Sequence, residues 1–197
     1  MVNRTTMIVV WLAAVLTLGT VAIAQTPTVA ERFTFVAANA SKAGPSGQER
    51  MKIVIDKWSP DAERDRLMTV LKQDGSDQLT KSFRMGWAVG YIEFPGYLYR
   101  TIRFAYRMPR PDGGEDVILA TDDPVWLQWD PSLGPAPTTR DNGTVIQLQL
   151  NREGRGEGKL SVGTKLTTTP DGKMFTIQNY AQQPVVLTDV RREPTTT

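Results

Sequence analysis

The stretch that decides the fold is residues 87–121, WAVGYIEFPGYLYRTIRFAYRMPRPDGGEDVILAT, in which apolar and polar residues alternate. A period of two residues is typical of strands that bury one face. The turn dipeptides Pro95-Gly96 and Asp112-Gly113 divide the stretch into three strands, which the sequence predicts to pair as antiparallel neighbours. Residues 87–121 therefore predict a β-meander.

The same alternation continues to the end of the chain. Turns are predicted at Gly156 to Gly158 and at Asp171-Gly172, and the second of these loops pairs Leu166 with Ile177. Two short alternating segments, 33–36 and 51–55, precede the meander. The sequence thus predicts a mainly β fold, an antiparallel meander that forms a barrel or a two-layer sandwich. The strands of the meander are expected at 87–94, 97–108 and 116–121, and those that follow at 144–151, 159–168, 173–180 and 184–191.

One helical excursion interrupts the strands near residues 60–85. Ser59 is a good N-cap, and Pro60 suits the first helical position. Leu67 and Leu71 fall on one helical face, and Asp74-Gly75 is a stop signal before a second short helix at 76–85.

A hairpin register follows if Pro95-Gly96 is a two-residue loop. Val89 then pairs with Ile102, and the inward face carries Trp87, Tyr91, Glu93 and Arg100 beside apolar residues. An inward arginine next to aromatic rings could bind the carboxylate or phosphate of a ligand. The alternative is an ion pair between Glu93 and Arg100 at the rim of the sheet, which contributes little.

Trp126 and Trp129 lie in a long proline-rich segment with three carboxylates, Asp122, Asp123 and Asp130. An exposed tryptophan pair in a loop could stack on a ligand. The alternative is that both indoles cover an open end of the sheet.

The composition removes several classes of chemistry. The chain has no histidine and no cysteine, which excludes Ser-His-Asp and Cys-His relays and zinc sites built from these residues. The segment 151–158 alternates acids and glycines like a calcium loop, but Arg155 stands at a ligand position, and a glycine-rich turn accounts for it. No metal, no cofactor and no catalytic residue is predicted. The net charge of +2 does not favour nucleic acid as a partner.

The two ends of the chain differ from the rest. Residues 1–24 have an apolar run and an Ala22-Ile23-Ala24 motif, which together predict a cleaved signal peptide; the alternative is an uncleaved anchor. Residues 25–192 are expected to form a single β-rich domain without a stable membrane insertion, and residues 193–197 a disordered tail.

Several short motifs resemble an uncharacterised family of secreted bacterial proteins that has no established activity. The resemblance implies a bacterial periplasmic or secreted location and assigns no functional residue. The motifs are Asp56-Lys57-Trp58-Ser59, Val89-Gly90-Tyr91-Ile92, Pro111-Asp112-Gly113-Gly114 and Leu187-Thr188-Asp189-Val190-Arg191.

Three functional hypotheses follow. The first is an exported, non-enzymatic β-domain that binds a small apolar or amphipathic ligand between its sheets or under the Trp126–Trp129 loop. The second is a protein-interaction or structural domain of the cell envelope with an envelope protein as its partner. The third is a carboxylate-based glycan hydrolase, with candidate acids at Glu93, Asp116, Asp122, Asp123 and Asp130.

Overall fold

A single antiparallel sheet of ten strands curls into a nearly closed barrel, with two helices packed outside it. The computed structural model describes residues 30–38, 50–94, 98–125, 143–181 and 183–194. The elements are β1 (Glu31–Ala37), β2 (Met51–Ile55), α1 (Asp61–Asp74), α2 (Ser76–Met85), β3 (Gly90–Phe94), β4 (Leu98–Ile102), β5 (Phe104–Pro109), β6 (Glu115–Thr121), β7 (Gly143–Leu150), β8 (Arg155–Thr168), β9 (Phe175–Tyr180) and β10 (Val185–Glu193). The predicted mainly β fold with a helical excursion is confirmed.

One continuous segment of chain, β4 followed by β5, links the two ends of the sheet. Nine strands follow the order β4-β3-β2-β1-β10-β8-β7-β6-β5, and β9 pairs with β8 outside this order, so consecutive strands β4 and β5 stand at opposite ends of the sheet. Up to Ile102 the chain pairs with the β3 side, where the Ile102 carbonyl accepts a hydrogen bond from Val89 N at 2.9 Å. One residue later, Arg103 N donates to the carbonyl of Ala120, in β6, at 2.9 Å. The predicted strand 97–108 is therefore two strands that join the sheet's two ends.

The long strand β8 forms a hairpin with β9 and also pairs with β10. Leu166 pairs with Ile177, and Thr168 pairs with Phe175, so the register predicted from the Asp171-Gly172 loop is confirmed. Further along β8, Leu160 pairs with Val185 of β10. The half of β8 that pairs with β9 reaches past β7, and there Leu166 N donates to the hydroxyl of Ser76 at the start of α2, at 2.7 Å.

Apolar side chains form two cores. The first fills the barrel and includes Phe33, Phe35, Ile53, Ile92, Leu148 and Leu187, all fully buried. The second lies between the helices and the outside of the barrel, where the rings of Phe83 and Phe104 stand 5.4 and 5.3 Å from that of Phe175. Burial of both faces of this part of the sheet fixes the helix pair against it.

The start of α1 differs from the prediction. Pro60 occupies the N-cap position, without a side-chain cap, and Ser59 instead pairs with β5. Ser59 N donates to the Ala105 carbonyl at 2.7 Å, and its hydroxyl accepts a hydrogen bond from Ala105 N at 3.1 Å. Ser59 therefore ties the entry of the helix to the barrel.

Two of the predicted hairpin registers are wrong by one residue. In the first, Gly90 pairs with Ile102 and Phe94 with Leu98, so three residues connect β3 and β4. In the second, Val117 pairs with Arg107 and not with Met108. Because side chains alternate between faces, each shift exchanges the inward and outward residues of a strand.

The predicted turn at Gly156 to Gly158 is also wrong. The turn lies earlier, where Gly154 has a φ of +71° and its N–H donates to the Asn151 carbonyl at 3.0 Å. Gly156 and Gly158 belong to β8.

The predicted signal peptide, 1–24, lies outside the described residues. Within the described part of the chain, neither helix combines the length and the apolar character that a membrane span requires. β10 extends to Glu193, the first residue of the predicted tail, and residues 195–197 are outside the described ranges.

Candidate functional site

The predicted ligand residues on β3 face away from the barrel interior. Gly90, Ile92 and Phe94 are the buried residues of this strand, and Tyr91 and Glu93 between them take the other face. Glu93 forms an ion pair with Lys52, at 3.4 Å, and the ring of Tyr91 contacts that of Tyr99 edge-on, with centroids 5.3 Å apart. The prediction that Tyr91 and Glu93 line the interior is therefore wrong, because the β3–β4 register differs by one residue.

Arg100 and Trp87 are also separated from each other. Arg100 pairs with Ile92 and so shares its face, but on the end strand β4 its side chain is exposed and donates to the Tyr99 carbonyl at 3.0 Å. Trp87 precedes β3 and is 85% exposed, so it is not part of an inward face. Glu93 pairs with Lys52, so the alternative interpretation, an ion pair between Glu93 and Arg100, is also wrong. Trp126 and Trp129 lie outside the described residues.

Four other ionisable residues do point into the barrel. Each pairs across the sheet with a fully buried apolar residue and shares its face: Glu31 with Ile55, Arg107 with Val117, Glu115 with Leu150, and Arg192 with Phe33. They lie together at one end of the barrel, and we call them the mouth cluster. Sequence reasoning missed Arg107 because of the β5–β6 register, and it missed Glu31, Glu115 and Arg192 because they lie just outside the predicted strands 33–36, 116–121 and 184–191.

The mouth cluster is internally paired. Glu31 Oε1 accepts hydrogen bonds from Trp58 Nε1 at 2.9 Å and from Arg107 Nη1 at 3.1 Å, and Glu31 Oε2 lies 3.3 Å from Arg192 Nε. Arg192 Nη2 contacts Glu115 Oε1. The Arg107 guanidinium covers the Trp58 ring at 5.0 Å from its centroid. Two carboxylates and two guanidinium groups neutralise one another, and their ion pairs join β1, β5, β6 and β10 at this end of the barrel.

A groove of about 520 Å³, lined in part by Trp58, lies beside the mouth cluster, and we call it the Trp87 groove. Its size is within the range of small-molecule sites. Trp58 and Val89 contribute apolar surface to its wall, while Met85 and Trp87 line it with side chains that are 87% and 85% exposed.

Backbone contacts fix the segment that carries Trp87. The Gly86 carbonyl accepts a hydrogen bond from Arg103 Nη1 at 3.2 Å, and Gly86 N donates to the Phe83 carbonyl at 2.9 Å. On the other side of Trp87, Val89 N donates to Ile102, and the Val89 carbonyl accepts from Asp56 N at 2.9 Å. The exposure of Trp87 is therefore a property of an anchored segment.

Cations outnumber anions in the lining of the Trp87 groove. Lys57, Arg66 and Arg103 line it together with a single carboxylate, that of Glu63. Arg66 binds Glu63 through two hydrogen bonds, at 2.8 and 2.7 Å, and this interaction raises the pKa of Arg66. Arg103 Nε lies 3.3 Å from Asp122 Oδ1. The ammonium group of Lys57 has no ion-pair or hydrogen-bond partner among the described residues.

Three of the five candidate acids for hydrolysis sit in separate ion pairs, and among the described residues Asp123 takes part in none of these pairs. Glu93 pairs with Lys52 on β2, and Asp116 lies 3.5 Å from Arg110. Asp122 lies between Arg84 and Arg103, at 3.5 and 3.3 Å, and Asp130 is outside the described residues. Within the described ranges, no group of three acidic side chains has an arrangement that could hold a metal ion.

Comparison with known proteins gives no relative from which a role could be transferred. No family model matches the chain, and no curated protein and no solved structure is significantly similar to it.

Proposed function

We propose that the chain is an exported, non-enzymatic binding protein for a small amphipathic ligand, and that the ligand binds in the Trp87 groove. The single observation that carries the proposal is the pair of almost fully exposed apolar side chains, Met85 and Trp87, beside a groove of about 520 Å³. Export follows from the predicted signal peptide and is tested separately by sequencing the N-terminus of the exported protein.

The apolar part of the ligand is expected to contact Met85 and Trp87. Large apolar side chains exposed together mark interaction sites, because covering them removes apolar surface from water. Covering about 100 Å² of the Trp87 indole contributes about 2.5 kcal/mol. Because the segment around Trp87 is already anchored, binding does not have to order it first.

The charged part of the ligand is expected to be anionic. Arg66 and Arg103 already have carboxylate partners, which leaves Lys57 as the cation at this groove that can pair with a ligand. A carboxylate, sulfate or phosphate head group at Lys57 would complete the charge balance of the groove.

The experiment compares two amphiphiles that share a twelve-carbon tail, dodecanoate and dodecyltrimethylammonium, by calorimetric titration below their micelle concentrations. We expect dodecanoate to bind more tightly to the purified protein, and Trp87→Ala to weaken its binding by tenfold or more, since about 2.5 kcal/mol corresponds to nearly a hundredfold. Lys57→Gln should remove the preference for the anionic amphiphile without removing binding.

Tyr180→Ala is the matched control, because Tyr180 on β9 is also an exposed aromatic residue and does not line the groove. Equal binding of both amphiphiles by the unmodified protein would contradict the anionic preference. Unchanged binding after Trp87→Ala, or no binding of either amphiphile, would contradict the site itself.

A further inference from the structure

A second groove, of about 560 Å³, lies on the outside of β6, β7 and β8. None of its lining residues lines the Trp87 groove. The hairpin tip between β8 and β9 forms one wall, through Thr169, Asp171 and Lys173. We call it the glutamine groove, because Gln147 and Gln149 of β7 lie at its centre.

The strand register places mostly polar side chains in two parallel rows across this groove, with Ile118 as the apolar exception. Gln149 pairs with Asp116 of β6 on one side and with Glu157 of β8 on the other. Two residues along β7, Gln147 pairs with Ile118 and with Lys159. Directly paired residues share a face and stand within about 5.5 Å of each other, so the rows form one continuous polar surface.

Most of this polar surface has unused hydrogen-bonding capacity. Among the described residues, the side chains of Gln147, Gln149, Glu157 and Lys159 make no hydrogen bond and no ion pair. Asp116 at the end of the row is different, because it pairs with Arg110 at 3.5 Å.

The chemistry of these groups favours a neutral ligand with many hydroxyl groups. Each glutamine amide both donates and accepts hydrogen bonds, the Glu157 carboxylate accepts them, and the Lys159 ammonium donates them. A hydroxyl group is itself a donor and an acceptor, so it can pair with each of these groups. The charges in the groove nearly cancel, with carboxylates at Asp116, Glu157 and Asp171 against ammonium groups at Lys159 and Lys173. A strongly charged ligand would therefore meet a like charge wherever it lay.

The groove also has an apolar part. Ile118 and Met174 are buried at its wall, and Met108, which pairs with Asp116, also lines it. Sugar rings present C–H groups on one face and hydroxyl groups at their edges, which matches an apolar patch beside polar rows. We infer that the glutamine groove binds a short neutral saccharide. This site is independent of the amphiphile site.

The experiment records the side-chain amide signals of Gln147 and Gln149 by ¹H–¹⁵N NMR while one of three neutral trisaccharides is added. The probes are cellotriose, maltotriose and tri-N-acetylchitotriose, at millimolar concentrations. We expect at least one probe to shift both amide signals, and the double variant Gln147→Ala/Gln149→Ala to bind it about tenfold more weakly, since it loses several hydrogen bonds.

Gln178→Ala is the matched control, because Gln178 on β9 is exposed and lies outside the groove. It should leave saccharide binding unchanged, as should Trp87→Ala, which separates this site from the amphiphile site. The inference is overturned if none of the three probes shifts the two amides, or if the double variant binds as well as the unmodified protein. Thermal unfolding of the double variant checks that the exposed substitutions leave the fold intact.

Discussion

Replacing Gly156 with alanine tests the packing of β8 against β7. Gly156 pairs with Leu150 of β7 on one side and with Val190 of β10 on the other. A Cβ atom added at Gly156 would stand 1.8 Å from the carbonyl oxygen of Gln149 and 2.9 Å from its carbonyl carbon. Both of these are backbone atoms, so no side-chain rotation can relieve the overlap.

The energetic cost follows from how little β7 can move. Relief of the overlap requires β7 to retreat by more than an ångström, although its other edge is held in continuous register with β6. Overpacking of this kind costs about 3 kcal/mol, toward the upper end of the usual range. For a chain of this size, we expect a fall in Tm of about 6–12 °C.

Urea denaturation, followed by far-ultraviolet circular dichroism, measures the loss against a matched control, Gly143→Ala. A Cβ atom at Gly143 would stand 3.4 Å from the Thr121 carbonyl oxygen, an ordinary contact, so the change should stay within about 0.5 kcal/mol. If Gly156→Ala destabilised the protein no more than Gly143→Ala does, the close approach of β7 and β8 would be refuted.

Two further predictions concern charged residues. Arg192→Met leaves the carboxylates of Glu31 and Glu115 without their shared cation, and we expect it to lower the free energy of unfolding in urea by about 2 kcal/mol. Adding Glu115→Gln should restore part of this loss, because it removes one of the unpaired charges. If the losses of the two single variants simply added in the double variant, the ion pairs of the mouth cluster would be contradicted. Asp189 has a φ of +49°. Hydrogen bonds from Arg50 and, to a smaller extent, Arg191 lower the pKa of its carboxyl group. The stability that Asp189 contributes is therefore present above about pH 4 and is lost as the pH falls through the lowered pKa. Asp189→Asn tolerates the same backbone conformation and should flatten the acid side of the stability curve; an unchanged acid side would contradict the role of these hydrogen bonds.

The sequence predicted the strands better than their registers, and proline explains one of the errors. A two-residue hairpin loop needs a positive φ at its first residue, which Pro95 cannot adopt because its ring holds φ near −65°. The observed pairing of Phe94 with Leu98 allows a three-residue connection that avoids this conflict. The chemistry of Pro95 was therefore a signal against the predicted register.

The second hairpin shows the same rule with its turn described. Gly113 N donates to the Arg110 carbonyl at 3.0 Å, and Gly113 has a φ of +81°, so Pro111, Asp112 and Gly113 form a three-residue loop. A type I turn followed by a left-handed glycine is a common hairpin of this length, and proline suits its first position. Pro170-Asp171-Gly172 makes the same turn, since Gly172 N donates to the Thr169 carbonyl at 2.8 Å and Gly172 has a φ of +68°. There Lys173 adds a fourth loop residue before Thr169 N donates to the Met174 carbonyl, and this extra residue keeps the predicted register.

The glycines of β8 could not have been placed from sequence alone. Gly156 and Gly158 sit in a run of four glycines between residues 154 and 163, a composition that is typical of turns. They are required inside the strand because the backbone of β7 passes too close for a Cβ atom, at 1.8 Å for Gly156 and 2.5 Å for Gly158. Such an approach depends on strands that meet only in the folded barrel.

The corrected registers change where a ligand can bind. The one-residue shift of the β3–β4 register removes Glu93 from the interior, and the shift of the β5–β6 register places Arg107 there. The charged groups of the mouth cluster are already paired with one another. A ligand entering past them would have to break these ion pairs or displace fully buried side chains such as Phe33, and either step costs several kcal/mol. Binding to the two outer grooves displaces neither. The surface of the barrel is therefore the energetically accessible place for binding, and the filled interior is the scaffold that holds Trp87 and the glutamine pair in position.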